Sequence, residues 1–254
     1  MYPVLWAPFG FEISTFGVMM AVGFLVAAWI VGKRLAEQGL DPELSSTILV
    51  YAVLCGVAGA KLYFVIDTLA REGGDWRALL FSRAGLTWFG GLMGAVLGVT
   101  IGTRIHRIST GAVAAAIAPA APFGQACGRI GCFLVGDDYG RGTNGWYGVA
   151  FPKGMPPTID DYGNVFTVHP TMLYEVVWLV AIGALLWRRR KLSPFLFGEY
   201  LVLAGIGRFA VEFLRINERV ALGLSEAQWI SIAMIVIGSA LWLRASRGAA
   251  QASV

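Results

Sequence analysis

The chain has 254 residues, of which 57% are hydrophobic and only 14% charged, with a mean hydropathy of +0.66. Soluble domains carry nearer about 25% charge, so a water-exposed globule is excluded, as are disordered, collagen-like and coiled-coil chains. The formal net charge of +4 comes without a basic stripe, which excludes a nucleic-acid partner and leaves an all-α integral membrane protein.

A membrane span takes about 20 residues. Uncharged apolar runs predict seven transmembrane helices in a single membrane domain, residues 1–254. They cover 13–32, 44–66, 85–103, 110–128, 170–187, 196–214 and 224–243. No Lys or Arg precedes the first run and Glu12 stands at its start, so it reads as a span and not a cleaved signal peptide. Lys33 and Arg34 follow it. The positive-inside rule then puts the N-terminus outside, and seven spans put the C-terminus in the cytoplasm. Arg188, Arg189, Arg190 and Lys191, directly after the fifth run, read as a cytoplasmic anchor.

Two connections face outward in this arrangement. The shorter is Asp67–Arg83. The longer, 136–169, is rich in Gly, Pro, Asp and aromatics and reads as a small extracytoplasmic head inserted between the fourth and fifth helices. No internal repeat is visible, which argues against an inverted-repeat transporter.

An ionisable group within a span is costly and marks function by default. Arg129 stands between Gly128 and Gly131, and the glycines would let an anionic group approach the backbone. Guanidinium recognises phosphate through paired hydrogen bonds. Snorkelling at a helix end is the plainer reading of the same residue. Arg208, Glu212 and Arg215 are spaced by four and three, one ladder on one helix face, either a structural salt-bridge series or a phosphate clamp. His169 precedes Pro170 at the start of the fifth helix, and Thr171, Tyr174 and Glu175 share a face just after it. The other histidine, His106, falls on the inside, so His169 is the outward candidate for a proton acceptor. The three cysteines, Cys55, Cys127 and Cys132, lack metal-type spacing, and neither a metal nor a nucleotide cofactor is predicted.

Together these stretches resemble the prolipoprotein diacylglyceryl transferases of bacteria. The matching residues are Gly90-Gly91, then Gly128-Arg129-Ile130-Gly131-Cys132-Phe133 with Gly136 and Gly140-Arg141. His169-Pro170 with Leu173-Tyr174-Glu175 follows, and Arg208-Phe209 with Glu212-Phe213 and Arg215 closes the series. The resemblance implies a multi-pass protein of the bacterial inner membrane. It would move the diacylglyceryl group of phosphatidylglycerol onto the lipobox cysteine of a preprolipoprotein signal peptide. A thioether forms and glycerol phosphate leaves. The partners are then phosphatidylglycerol, the signal peptides and bilayer lipid. Arg129 and Arg208 match the family's key arginines; where Phe89 replaces the family's usual histidine, His169 or Asp137 is this chain's candidate to take the thiol proton. Gly90, Gly91, Gly128, Gly131, Cys132, Gly140, Arg141, Tyr174, Glu175, Glu212 and Arg215 would line the substrate.

Four positions depart from the family's common pattern: Phe16 for tyrosine, Phe89 for histidine, Cys132 for asparagine and Asp137 for glutamate. Phe89 removes a favoured base. The alternatives are a divergent paralogue acting on another lipid acceptor, or a non-catalytic lipid-binding membrane protein.

Overall fold

The computed structural model describes residues 2–7, 12–82, 85–189 and 195–251, with the backbone alone for Trp88 and 245–251. Arg190 and Lys191 of the basic anchor lie outside the described residues. The chain is mostly helical. Among the described residues, Thr15–Ala36 (α1), Leu44–Arg71 (α2) and the Glu226–Arg244 part of α8 (Glu226–Gln251) are long and apolar enough to cross a membrane. Their outward faces carry large apolar side chains such as Leu25, Leu54, Ile66 and Val236, each more than half exposed, a surface suited to hydrocarbon.

The chain divides into two compact units. One comprises residues 31–113 and contains α2, the short helix Trp76–Phe81 (α3) and Trp88–Ile105 (α4). Glycines set how closely α2 and α4 cross. A Cβ on Gly59 would strike the Gly90 backbone, and one on Gly94 or Gly98 would strike Cys55 or Tyr51. Small residues permit this approach where burying apolar surface gives no advantage over lipid. Asp75 caps α3 by accepting from the Arg77 amide at 3.0 Å. Lys61 of α2 donates to the Ser82 carbonyl at 2.9 Å, which ties down the connection between α3 and α4.

The other unit comprises residues 1–30 and 114–254. It holds most of Thr110–Val135 (α5), Thr171–Trp187 (α6), Phe195–Val211 (α7) and α8. Ala118, Ile182, Leu186, Leu196, Tyr200 and Ala204 form a shared core of α5, α6 and α7. The buried Tyr200 hydroxyl accepts from Gln125 at 2.7 Å. Gly198 and Gly238 face each other across α7 and α8, where a Cβ on either would lie 2.7 Å from the other's carbonyl.

Several helices run past the ends read from the sequence, α1 to Ala36, α2 to Arg71 and α8 to Gln251, and two further differences shape the site. The helix read over 110–128 continues to Val135, so Arg129 and Cys132 are helical. It stops where Gly136, at φ +81°, takes the left-handed conformation and returns its amide to Cys132 at 2.8 Å. The helix read over 196–214 ends as α at Val211, and Glu212–Leu214 form a tighter 3-10 turn. Arg215 then leaves in an extended conformation. A hairpin, Arg219–Ala221 (β3) with Leu224–Ser225 (β4), turns through Leu222 and Gly223, both at positive φ, and leads into α8.

Residues 136–169 share a small core with the adjoining ends of α5 and α6. Tyr139 stacks on Phe151, with ring centres 5.6 Å apart. Val168 and Met172 complete the cluster with Cys132. Single bridges, Gly142 to Val168 and Val149 to Val168, replace a regular sheet. One bridge, Gly140 to Arg215, fastens this segment to the chain after α7.

Candidate active site

Helix termini gather the charged residues. Arg208 stands in the last turn of α7, where the helix dipole favours cations, while Arg129 stands further inside α5. Glu175 stands in the second turn of α6. Glu175 takes Arg129 Nε on one oxygen at 2.9 Å and Arg208 Nη1 on the other at 3.0 Å. Arg208 Nη2 also reaches Glu212 at 2.9 Å. Glu212 is fully buried, and its second oxygen accepts from Asn217 and Ser225, each at 2.7 Å. Gln228 at the start of α8 accepts from the Ser225 amide at 3.1 Å and from Arg219 at 2.6 Å, so the hairpin and α8 brace Glu212.

Asp138 completes the network. One of its oxygens accepts from Arg129 Nη1 at 2.7 Å, and the other pairs with Arg215 Nη2. Its backbone sits at φ +61°, a conformation that Asp tolerates better than most residues. Thr171 holds it there by donating its hydroxyl to the Asp138 carbonyl at 2.8 Å. Gly140 has no room for a side chain, because a Cβ would lie 2.6 Å from the Leu214 carbonyl and 2.8 Å from Thr171. The Arg141 amide donates to that same carbonyl at 2.8 Å.

The three arginines 129, 208 and 215 (+3) meet the three carboxylates 138, 175 and 212 (−3), a sum of zero. Arg215 is only 4% exposed, yet its Nε and Nη1 make no hydrogen bond among the described residues. The nearest carboxylate oxygens stand at 3.7 and 3.9 Å. Asp137 and Asp138 differ in environment. Burial pushes the Asp137 carboxyl up, and the Cys132 and arginine contacts only partly oppose it. Burial also acts on Asp138, but Arg215 and Arg129 outweigh it and hold that carboxyl below the usual range.

Some of the predicted site residues meet here and others do not. Arg129, Glu175, Arg208, Glu212 and Arg215 form one connected network. Asp137 lies at its edge, where ligand atoms of Cys132, Asp137 and Asp138 fall within 4.8 Å of one another. Cys132 is buried, with its sulfur 3.9 Å from both Arg129 and Asp138. His169 stands apart from the arginines in its contacts. Its Nδ1 lies 3.3 Å from the Tyr174 hydroxyl, and its ring leans on Tyr147 at 5.5 Å. Arg141 is exposed. The glycines beside Arg129 serve helix packing: a Cβ on Gly128 would meet Met20 at 3.3 Å, and one on Gly131 would meet Met19 at 3.0 Å. Gly90 and Gly91 lie in the other unit, at the α2–α4 crossing.

Asp138 was absent from the sequence reading, as were Asn217, Ser225 and Gln228. Asp138 follows one acidic residue and shows no spacing of its own. A usable signal was Gly136-Asp137-Asp138 directly after a helix, where left-handed turns are common.

The architecture is that of a multi-pass helical membrane protein with a polar, arginine-rich site at the ends of its helices. Residues 3–244 match the family model described as prolipoprotein diacylglyceryl transferase. The chain belongs to the prolipoprotein diacylglyceryl transferase family. Among its relatives is the phosphatidylglycerol–prolipoprotein diacylglyceryl transferase of Thermotoga maritima, 30% identical over 90% of this chain and 80% of the relative. The protein of the same name from Dehalococcoides mccartyi is 33% identical over 95% of this chain and 92% of the relative. That of Clostridium novyi is 30% identical over 97% and 96%.

Proposed function

We propose that this protein transfers the diacylglyceryl group of phosphatidylglycerol to the lipobox cysteine of preprolipoproteins. The observation that carries the reading is the meeting of Arg129 and Arg208 on Glu175, with Arg215 in the same network, in a protein of this family. The substrate thiol, as thiolate, attacks the glyceryl carbon that bears the phosphate. A carbon–sulfur bond forms, the carbon–oxygen bond breaks, and glycerol phosphate leaves with the electron pair. The arginines stabilise charge gathering on the departing phosphate oxygen. Glu175 and Glu212 keep the guanidinium groups aimed before substrate arrives, so little reorganisation remains for the reaction itself.

The thiol's proton goes to Asp137. Its raised carboxyl is a better base than an ordinary aspartate, and it borders the arginine network. His169, paired with Tyr174, is the second candidate acceptor. Gly140 fixes the loop that carries both acids, and Arg141 lies exposed beside it, available to the headgroup or the peptide. No metal or nucleotide enters this mechanism.

In the cell the chain would cross the bacterial inner membrane seven times, with the N-terminus outside and the C-terminus in the cytoplasm. Residues 136–169 would form the extracytoplasmic head, on the side where signal peptides emerge. The test is transfer of labelled diacylglyceryl from phosphatidylglycerol to a lipobox peptide. The intact protein should transfer, and Arg129→Ala and Arg208→Ala should not. An inactive intact protein, or two fully active variants, overturns the reading.

A further inference from the structure

We propose that Asp138 is an internal stand-in for phosphate: its carboxylate holds Arg129 and Arg215 in the empty site, yields them to the lipid's phosphate, and returns as glycerol phosphate leaves. This deepens the transfer reading and rests on it for the identity of the lipid.

The three carboxylates of the network are not equivalent. Glu175 and Glu212 have side chains 7% and 0% exposed, and each is fixed to two or more partners. The Asp138 side chain is 41% exposed and stands on a loop, not a helix. It can rotate away from the arginines into solvent. The other two cannot without leaving buried charges unpaired, which is costly.

Charge supports the same exchange. Exchanging the Asp138 carboxylate for a phosphodiester replaces one single negative charge by another, so the arginines keep the same balance of charge. Geometry supports it independently. Arg215 is almost wholly buried, yet hydrogen-bonds through Nη2 alone and leaves two further nitrogens, Nε and Nη1, without a hydrogen-bond acceptor among the described residues. A phosphate offers more acceptor oxygens than a carboxylate, so it can engage donors that Asp138 leaves idle. The exchange therefore replaces a partial partner with a fuller one. Return of Asp138 competes with the product's phosphate for the same guanidinium groups, which favours release.

A resident competitor lowers apparent affinity by the fraction of time that the site is free. If Asp138 occupies the arginines about nine-tenths of the time, its removal tightens phosphate binding about tenfold. The full-length protein, purified in detergent, is titrated by calorimetry with dihexanoyl phosphatidylglycerol and separately with sn-glycerol 1-phosphate. Asp138→Asn should bind both about tenfold more tightly. In the transfer assay its KM for the lipid should fall by a similar factor, kcat should not rise, and inhibition by glycerol phosphate should strengthen. A purely structural Asp138 predicts weaker binding and a raised KM. Unchanged or weaker binding of either ligand overturns the proposal. Should the variant fail to fold, wild-type protein carrying 13C-carboxylate aspartate gives an infrared test. Adding the lipid must shift an aspartate carboxylate band, and a spectrum without that shift overturns the proposal. Wild-type protein that binds lipid but transfers nothing would count against the transfer reading alone.

Discussion

Arg129 of α5 and Arg208 of α7 meet on opposite oxygens of one carboxylate, Glu175 of α6, at 2.9 and 3.0 Å. Glu175 thus sets the spacing of the two guanidinium groups to which transition-state stabilisation is assigned. Buried at that position, it is the one carboxylate among the described residues that pairs with both.

Glu175→Gln tests this role. The amide retains the shape but loses the charge, leaving two partly buried arginines short of a counter-ion. Breaking a buried pair costs about 3–5 kcal/mol, and thermal unfolding should register a loss of that order. Transfer activity should fall at least about 100-fold, the scale on which misplacing positioned groups acts. A variant with wild-type activity and melting temperature would remove Glu175 from the site.

Arg208→Lys separates charge from geometry. Arg208 uses Nη1 for Glu175 and Nη2 for Glu212, a fork that a lysine ammonium cannot reproduce. We expect kcat to fall about 100-fold, the order seen when one preorganised donor is lost, while the protein still folds. Steady-state kinetics against phosphatidylglycerol provides the measurement. Near-normal kcat would mean that positive charge alone suffices.

The sequence announced the site through cost. Arg129 in an apolar run and the Arg208-Glu212-Arg215 spacing stand out because membranes penalise such groups. The Arg208–Glu212 pair follows directly from helical periodicity. Arg215 keeps the expected spacing of three from Glu212, but through a 3-10 turn and with a bridge to Gly140 that helical periodicity does not foretell. Asp138 was illegible because its partners come from α5 and from the chain beyond α7, a pairing made by the tertiary path of a loop. The glycines beside Arg129 show the opposite failure. Glycine fits both a ligand approach and a helix contact, and here the neighbours are Met19 and Met20.

The proton acceptor can be identified from pH dependence. A base must be deprotonated to act, so activity falls as pH drops through its pKa. Burial raises the Asp137 carboxyl above its ordinary value near about 3.9, so the acid limb of kcat/KM should lie above that value. Asp137→Asn should abolish that limb and leave a low, flatter activity. His169→Gln should retain the limb and alter mainly KM. If His169→Gln abolishes the limb and Asp137→Asn preserves it, the roles are exchanged.

Gly140→Ala examines the loop that aligns Asp138 with Arg215. The added methyl would sit 2.6 Å from the Leu214 carbonyl and 2.8 Å from Thr171, both on rigid surroundings. Strain at that spot must open the Gly140–Arg215 bridge or move Thr171, whose hydroxyl holds the Asp138 backbone at 2.8 Å. Overpacking of this kind costs about 1–3 kcal/mol, so the melting temperature should fall by several degrees. Transfer should drop by more than that loss of folded protein explains, because Arg215 and Asp138 are displaced together. Gly163→Ala is the control. Gly163 adopts φ +84° in the same 136–169 segment, with no atom near its Cβ position. It should cost stability through backbone strain while leaving kcat unchanged. Equal losses of kcat in the two variants would show that residues 136–169 act as a whole, with no special part for the Gly140 bridge.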